Sequence, residues 1–229
     1  MSDIDLNVFE NVDLWIFDLD NTLYPRPEKM WQLVHDRMQG YIIDLLGIDR
    51  PSAEALQTEY FQKYGLTMRG LMIHHGVEPD AFNDYVHDID ISEIQPNPAL
   101  GEAIASLPGR RIIHSNANMA HVENVLGRLG IREAFHAAYD IRTSQYEPKP
   151  AESAYQRVLE ATGGEPTRAA MFEDIAHNLK VPHALGMRCV YVPTSCDWAS
   201  DGAEDEHVHF VADDLTTFVQ ALAAKRCAA

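Results

Sequence analysis

The sequence predicts an α/β fold: a doubly wound parallel sheet that carries a small α-helical domain inserted after the first strand. Three observations predict it. Short apolar runs recur along the chain, and amphipathic helical stretches separate most of them. That alternation is the pattern of a parallel sheet with helices on both faces. Residues 25–97 break the rhythm, with helical spacing and no convincing strand. Proline clusters bracket the break, "YPRP" at Tyr24–Pro27 and "QPNP" at Gln95–Pro98; proline stiffens turns and ends helices. The expected division is therefore residues 1–24 and 97–229 for the α/β core and residues 25–96 for the helical insertion.

The elements follow in order. "LWIF" (Leu14–Phe17) is the first strand. Trp31, Val34, Met38, Ile42, Leu45 and Leu46 recur at helical spacing, a second helical stretch runs from Ala53 to Tyr64, and others continue to about Val86. Strands are then expected at Arg111–Ile113, Ala137–Ile141, Ala169–Phe172, Cys189–Val192 and His209–Ala212. Between them, Ala120–Leu129 places Val122, Val125, Leu126 and Leu129 on one helical face. Pro150–Ala161 does the same with Ala154, Tyr155, Val158 and Leu159, and Leu215–Ala223 is the final helix.

Composition narrows the function. The chain has 229 residues, 46% of them hydrophobic, enough for one sizeable core plus a small satellite. The formal net charge of −17 repels nucleic-acid backbones and anionic lipid, so neither partner is expected. A small anionic substrate then needs local positive charge, which a metal ion can supply. Cys189, Cys196 and Cys227 form an odd, sparse set without C-x-x-C, which is no disulfide framework. No secretory leader opens the chain and no apolar run is long enough to cross a bilayer, so a soluble cytoplasmic protein is expected, monomer or homodimer. Histidines are not in zinc spacing: His207 and His209 alternate along "EHVHF" as a solvated edge strand would, and His74 and His75 point apart on a helix. The acidic run Asp201–Glu206 reads as a solvated loop.

Chemistry-bearing residues collect at the ends of strands, where open parallel sheets bind ligands. "WIFDLDNTLYP" (Trp15–Pro25) puts Asp18 and Asp20 one residue apart after the first strand. Residues two apart in extended chain share a face, so both carboxylates can look into one site, where they repel. A divalent cation relieves that repulsion, and an all-oxygen donor set favours Mg²⁺; a turn cap beside a solvated aspartate is the plain alternative. His114-Ser115-Asn116-Ala117 follows the second strand, where a helix N-terminus binds phosphate or a serine simply caps the helix. Lys149 stands between two prolines in "EPKP", either a fixed charge in the site or a surface lysine. Glu173 and Asp174 in "FEDIAHNL" form a second acidic pair, with helix capping as the alternative.

Together these residues resemble the haloacid dehalogenase (HAD) superfamily of aspartate-nucleophile phosphohydrolases. Its four motifs match "DLDNT", "HSNA", Lys149 in "EPKP" and "FEDIAHN", in order and over most of the chain. The resemblance implies a Rossmann-like core and makes the helical insertion similar to that family's type 1 cap. "FDLDNTLYP", "KYGLTMRGL" (Lys63–Leu71) and the fourth motif ending at Asn178 resemble the pyrimidine 5′-nucleotidase branch. The second motif departs from that branch in reading "IIHSNA" where phenylalanine-threonine is commoner, although the serine keeps the hydroxyl. Glu173 stands where aspartate is commoner, keeping the charge but lengthening the reach.

The resemblance implies Asp18 as nucleophile and Asp20 as general acid, then base. An acid must hold a proton near neutral pH, and the neighbouring carboxylate is expected to raise the Asp20 pKa. Asp18, the main-chain carbonyl of Asp20 and Asp174 would hold Mg²⁺, with Glu173 beside them. Ser115 and the Asn116 backbone would bind a phosphate oxygen and Lys149 would screen it. Thr22 would orient the first loop and Asn178 support the fourth. Trp31, Tyr64 and Arg69 of the cap would stack on or hydrogen-bond a nucleotide base, or pack cap helices. The implied activity is phosphate monoester hydrolysis, with sugar-phosphate hydrolysis, a phosphomutase and a non-catalytic interaction protein as alternatives. Dehalogenation is disfavoured because it leaves Asp20 without a role.

Overall fold

The computed structural model describes residues 6–227. The first strand, β1 (Leu14–Phe17), is buried along its whole length. Side chains alternate across a strand, so Trp15 and Phe17 enter one apolar layer while Leu14 and Ile16 enter the other. This is why the run is apolar at every position: the strand has no solvent face.

Four helices follow: α1 (Glu28–Leu46), α2 (Arg50–Tyr64), α3 (Thr67–His75) and α4 (Pro79–His87). They share an apolar cluster of their own, with Val34, Ile42, Ala53, Tyr60, Leu71, Phe82 and Val86 buried in it. Leu45, expected on the apolar stripe of α1, is exposed instead. Asp49 begins α2 by accepting a bond from the Ser52 N–H, and Gly65 ends it in the left-handed region. A side chain at Gly65 would meet the Lys149 carbonyl at 3.3 Å, so this turn lies directly against the lysine loop.

The chain then forms α5 (Pro98–Ala105), β2 (Arg110–His114), α6 (Met119–Leu129), β3 (Ala137–Tyr139), α7 (Glu152–Thr162), β4 (Ala169–Glu173), α8 (Lys180–Ala184), β5 (Arg188–Tyr191), β6 (Phe210–Val211) and α9 (Leu215–Cys227). Among the described residues the sheet has six strands in the order β3-β2-β1-β4-β5-β6, all parallel. Helices α5, α6 and α9 cover the Trp15–Phe17 face; Val158 and Leu159 of α7 and the segment leading into α8 cover the other. Strand order reverses between β1 and its neighbours β2 and β4, so the carboxyl end of β1 lies at the switch point where such sheets bind ligands.

Helix α5 is absent from the periodicity reading. Its sequence, PALGEAIA, is apolar nearly all round, leaving no stripe to detect, and the second proline cluster starts it: Asn97 caps Leu100 and Pro98 occupies the first turn. Strand β3 ends two residues early because Asp140 turns to accept bonds from Met119 and Arg142. His207 is a correction: it precedes β6, is buried, and lies 3.0 Å from the Ala176 carbonyl. His209 does border the edge strand. His74 and His75 pack around Tyr60 and meet the hydroxyls of Tyr64 and Tyr60. Cys189 and Cys196 are buried free thiols, while the Cys227 side chain lies outside the described residues. No helix among the described residues is long and apolar enough to cross a membrane.

Candidate active site

The β1 ladder runs one residue past the strand, with the Asp18 N–H donating to the Phe172 carbonyl at 2.9 Å. Asp18 is thereby fixed at the switch point, 6% exposed. Lys149 arrives from the loop after β3. Its Nζ donates to Asp18 Oδ1 at 2.6 Å and to Glu173 Oε2 at 2.7 Å. It is buried with both partners, which excludes the surface-lysine alternative. The prolines on either side restrict its backbone, and the Asn116 side chain accepts from the Lys149 N–H at 2.9 Å. Thr22 donates to Asp18 Oδ2 at 3.1 Å. Asp18, Glu173 and Asp174 each offer a carboxylate oxygen, all within 4.8 Å of one another.

Three buried carboxylates here face one ammonium. Burial first, and then Glu173, push the Asp18 pKa up to about 7 against the pull of Lys149. Burial and the same neighbours push Asp174 well above the usual carboxylate range. Burial opposes the Lys149 charge, but Asp18 and Glu173 outweigh it and raise the lysine pKa. A site short of positive charge, lined by hard oxygens, fits a divalent cation.

Asp20 is set differently, and here the structure corrects the sequence expectation. Its side chain accepts a bond from the Tyr24 hydroxyl at 2.5 Å and stands 2.8 Å from His121 Nε2. Burial favours the neutral acid, but His121 and Tyr24 overcome it and hold the pKa at about 2. The net shift is down, opposite to the expected rise. Asp20 in turn raises the pKa of His121 against the effect of burial.

The remaining expected residues fall into two groups. Ser115 is buried after β2 and its Oγ accepts from the Ala117 N–H at 3.0 Å, but α6 begins four residues later with Asn118 as its cap. The helix N-terminus therefore does not start at Ser115. Asn178 is buried, and its main-chain carbonyl accepts from the Tyr155 hydroxyl at 2.6 Å. The insertion residues are less central. Trp31 donates to Asn21 at 2.7 Å, Asn21 donates to Asp174 at 3.3 Å, and the Arg26 guanidinium covers the indole at 4.9 Å. Trp31 thus braces the first loop, where Asn21 takes the left-handed conformation that asparagine tolerates. Tyr64 bonds His74 within the insertion. Arg69 pairs with Glu147, two residues before Lys149.

Sequence reasoning missed Tyr24 and His121. Tyr24 is four residues after Asp20 in a loop and was readable only as half of a Tyr-Pro turn. His121 falls inside the apolar stripe of α6, where it counts as core.

A parallel sheet whose switch point carries a buried Asp–Lys–Glu–Asp centre defines an α/β enzyme with a carboxylate-based site. The chain belongs to the haloacid dehalogenase-like hydrolase family, which matches residues 12–186. It is similar to Phosphate metabolism protein 8 of Saccharomyces cerevisiae, 26% identical over 132 residues that cover 53% of this chain and 41% of that protein. The match therefore spans less than half of the yeast protein. In three dimensions it resembles β-phosphoglucomutase from Clostridium difficile with a TM-score of 0.60 at 16% identity, covering 95% of this chain and all of the other (100%). It also resembles L-2-haloacid dehalogenase from Xanthobacter autotrophicus, with a TM-score of 0.57 at 16% identity over 93% of this chain and 99% of that one. At such identities the structural likeness speaks for the fold alone.

Proposed function

We propose that the chain is a Mg²⁺-dependent phosphatase that hydrolyses small phosphate monoesters through an aspartyl-phosphate intermediate. Nucleoside 5′-monophosphates, pyrimidines foremost, are the favoured substrates. The observation that carries this reading is the separate setting of two neighbouring aspartates. Asp18 sits in the buried centre with Lys149, while Asp20 is held beside it on Tyr24 and His121. A halide leaves carbon without a proton, so a dehalogenase has no use for the second carboxylate. An alkoxide leaves phosphorus poorly unless it is protonated. The nucleotide preference rests on the resemblance of "FDLDNTLYP" and "KYGLTMRGL" to the pyrimidine 5′-nucleotidase branch, and the name of the yeast relative accords with phosphate chemistry.

An Asp18 oxygen attacks phosphorus, the ester P–O bond breaks, and the departing oxygen takes a proton from Asp20. Water then attacks the phosphoryl group of the aspartyl-phosphate and gives its proton to Asp20, which frees Asp18 and inorganic phosphate. The charge of a phosphoryl group beside Asp20 raises its proton affinity above the value set in this arrangement, so it takes up a proton as substrate binds. Lys149 offsets the charge of both Asp18 and the phosphoryl oxygens, and Ser115 with the Asn116 backbone holds one of those oxygens. Asp18 and Asp174 would hold Mg²⁺, joined by the Asp20 carbonyl that the family resemblance adds. Glu173 is engaged with Lys149 and the Ile175 N–H. When bound, the ion neutralises phosphate oxygens that would repel Asp18. Residues 25–96 act as the cap that excludes water and selects the leaving group, with Arg69, Tyr64 and Trp31 as its candidate contacts.

The test is phosphate release from nucleoside 5′-monophosphates and sugar phosphates, with Mg²⁺ or EDTA, beside chloride release from 2-chloropropionate. Hydrolysis of pyrimidine nucleotides that stops in EDTA is expected. Faster hydrolysis of sugar phosphates would reassign the substrate class, and isomerisation of a sugar phosphate without phosphate release would make the protein a mutase. Chloride release would overturn the reading.

A further inference from the structure

Both described hydrogen bonds to the Asp20 side chain end on one oxygen. The Tyr24 hydroxyl donates to Oδ1 and His121 Nε2 approaches the same atom. Among the described bonds, Oδ2 has none. A carboxylate held through one oxygen keeps a fixed plane and leaves its other oxygen available to carry a proton to or from substrate.

His121 is itself held from the insertion side. It lies in the first turn of α6 and is 3% exposed. Its main-chain N–H donates to Asn118 Oδ1 at 3.0 Å, and the Asn118 amide donates to Asp84 of α4 at 2.9 Å. Three residues after Asp84, His87 places its ring 4.6 Å from the His121 ring, tilted by 33°. Residues three apart share a helix face. Asp84 and His87 on α4 therefore meet Asn118, the cap of α6, and His121 in its first turn. His87 is fixed in turn by Nδ1, 3.0 Å from the Asn83 carbonyl.

We propose that His121 is a positioning residue for Asp20, and that α4 holds His121 in place through Asp84 and His87. The acid–base carboxylate then has its full set of held partners only while α4 is docked on α6. This ties exact placement of the proton donor to docking of the insertion, since without α4 Asp20 keeps Tyr24 and an unbraced His121. The kinetic part of the inference rests on the phosphatase reading.

The test uses His121→Phe, which keeps a ring without the hydrogen bond, and His121→Gln, whose amide reaches the Nε2 position. His121→Phe should lower kcat on an alkyl phosphate ester about 10²-fold with KM little changed. The pre-steady-state release of p-nitrophenolate from p-nitrophenyl phosphate should be nearly unaffected, since that group leaves unprotonated. His121→Gln should recover most of the lost kcat. His87→Ala should show the same substrate pattern with a smaller loss. In an Asp20→Asn background, His121→Phe should cost nothing further, because it acts through Asp20. Equal losses on both esters, additive losses in the double variant, or no recovery in His121→Gln would each overturn the positioning role. A readout independent of turnover is the ¹⁵N resonance of His121 Nε2, which should move in both Asp20→Asn and His87→Ala. An unmoved resonance would overturn the proposal. If the unaltered chain hydrolyses no phosphate ester, the phosphatase reading fails, and this resonance still decides whether the relay exists.

Discussion

The two aspartates of the first loop belong to different regions, and the difference explains more than their proximity does. Asp18 looks into a centre built by strand ends of the sheet, where Lys149, Glu173 and Asp174 surround it. Asp20 looks toward the insertion side, where Tyr24 and His121 receive it. Burial acts on both. In the first region it meets further negative charge, and the pKa rises to about 7. In the second it meets a histidine and a hydroxyl, and the pKa falls to about 2. The first region is a cluster of buried carboxylates with too little positive charge among them. The second is a neutralised pair that orients one carboxylate.

The sharpest way to break the comparison is to remove the reacting atom. Asp18→Asn should lower kcat by more than about 10⁴-fold, since an amide of the same shape is not nucleophilic. The protein should stay folded by circular dichroism. Retention of a tenth of kcat would end the nucleophile assignment.

Asp20→Asn should lower kcat on alkyl phosphates by about 10²–10⁴-fold. With p-nitrophenyl phosphate it should give a burst near one p-nitrophenolate per site followed by slow turnover, because the intermediate forms but water is not activated. Stopped-flow absorbance separates the two phases. Equal slowing of the first phase for both substrates would reduce Asp20 to a structural part.

Lys149→Met tests the first region by stability. It leaves three buried carboxylates without their cation, and breaking such a pair typically costs about 3–5 kcal/mol. Urea unfolding in EDTA should show that loss, and added Mg²⁺ should restore part of it. A loss confined to exposed-pair size, under about 1 kcal/mol, would mean that the centre is already neutralised.

The smallest effect is also the most specific to the contrast. Without metal, Asp18 binds its proton more tightly in the folded state than in the unfolded one, where its pKa is near 3.8. Its contribution is therefore complete below 3.8 and is lost as pH rises to about 7. Asp20 runs the other way: its contribution is present above 3.8 and is lost as pH falls toward 2. Asp18→Asn should then gain on the unaltered protein between pH 4 and pH 7.5 in EDTA, by roughly 3–4 kcal/mol. A difference that does not change with pH would show that Asp18 is ionised throughout.

Several parts of this design are legible in the chain without the fold. The doubly buried β1 announces itself because four successive apolar residues have no other explanation in an α/β pattern. Lys149 between prolines and the acidic pair after β4 stand out by local context. Helix α5 does not, since a short helix apolar on nearly every side has no periodicity. Composition points to Ser115 as a helix start that Asn118 provides instead, because the loop length between β2 and α6 is set by packing and not by composition.

The sequence by itself determined that two carboxylates follow the first strand two residues apart and that further acids and a lysine follow later strands. These are properties of neighbours along the chain, fixed by backbone geometry. The tertiary structure decided what each carboxylate faces. His121 is 101 residues from Asp20 and Lys149 is 131 from Asp18 in sequence, yet each lies within hydrogen-bond reach. Electrostatic energy grows as charges approach and as water is excluded, so these distant partners outweigh the repulsion between the two aspartates themselves. Chain neighbours alone predicted a raised pKa for Asp20; the fold moved His121 and Tyr24 against it and reversed the sign.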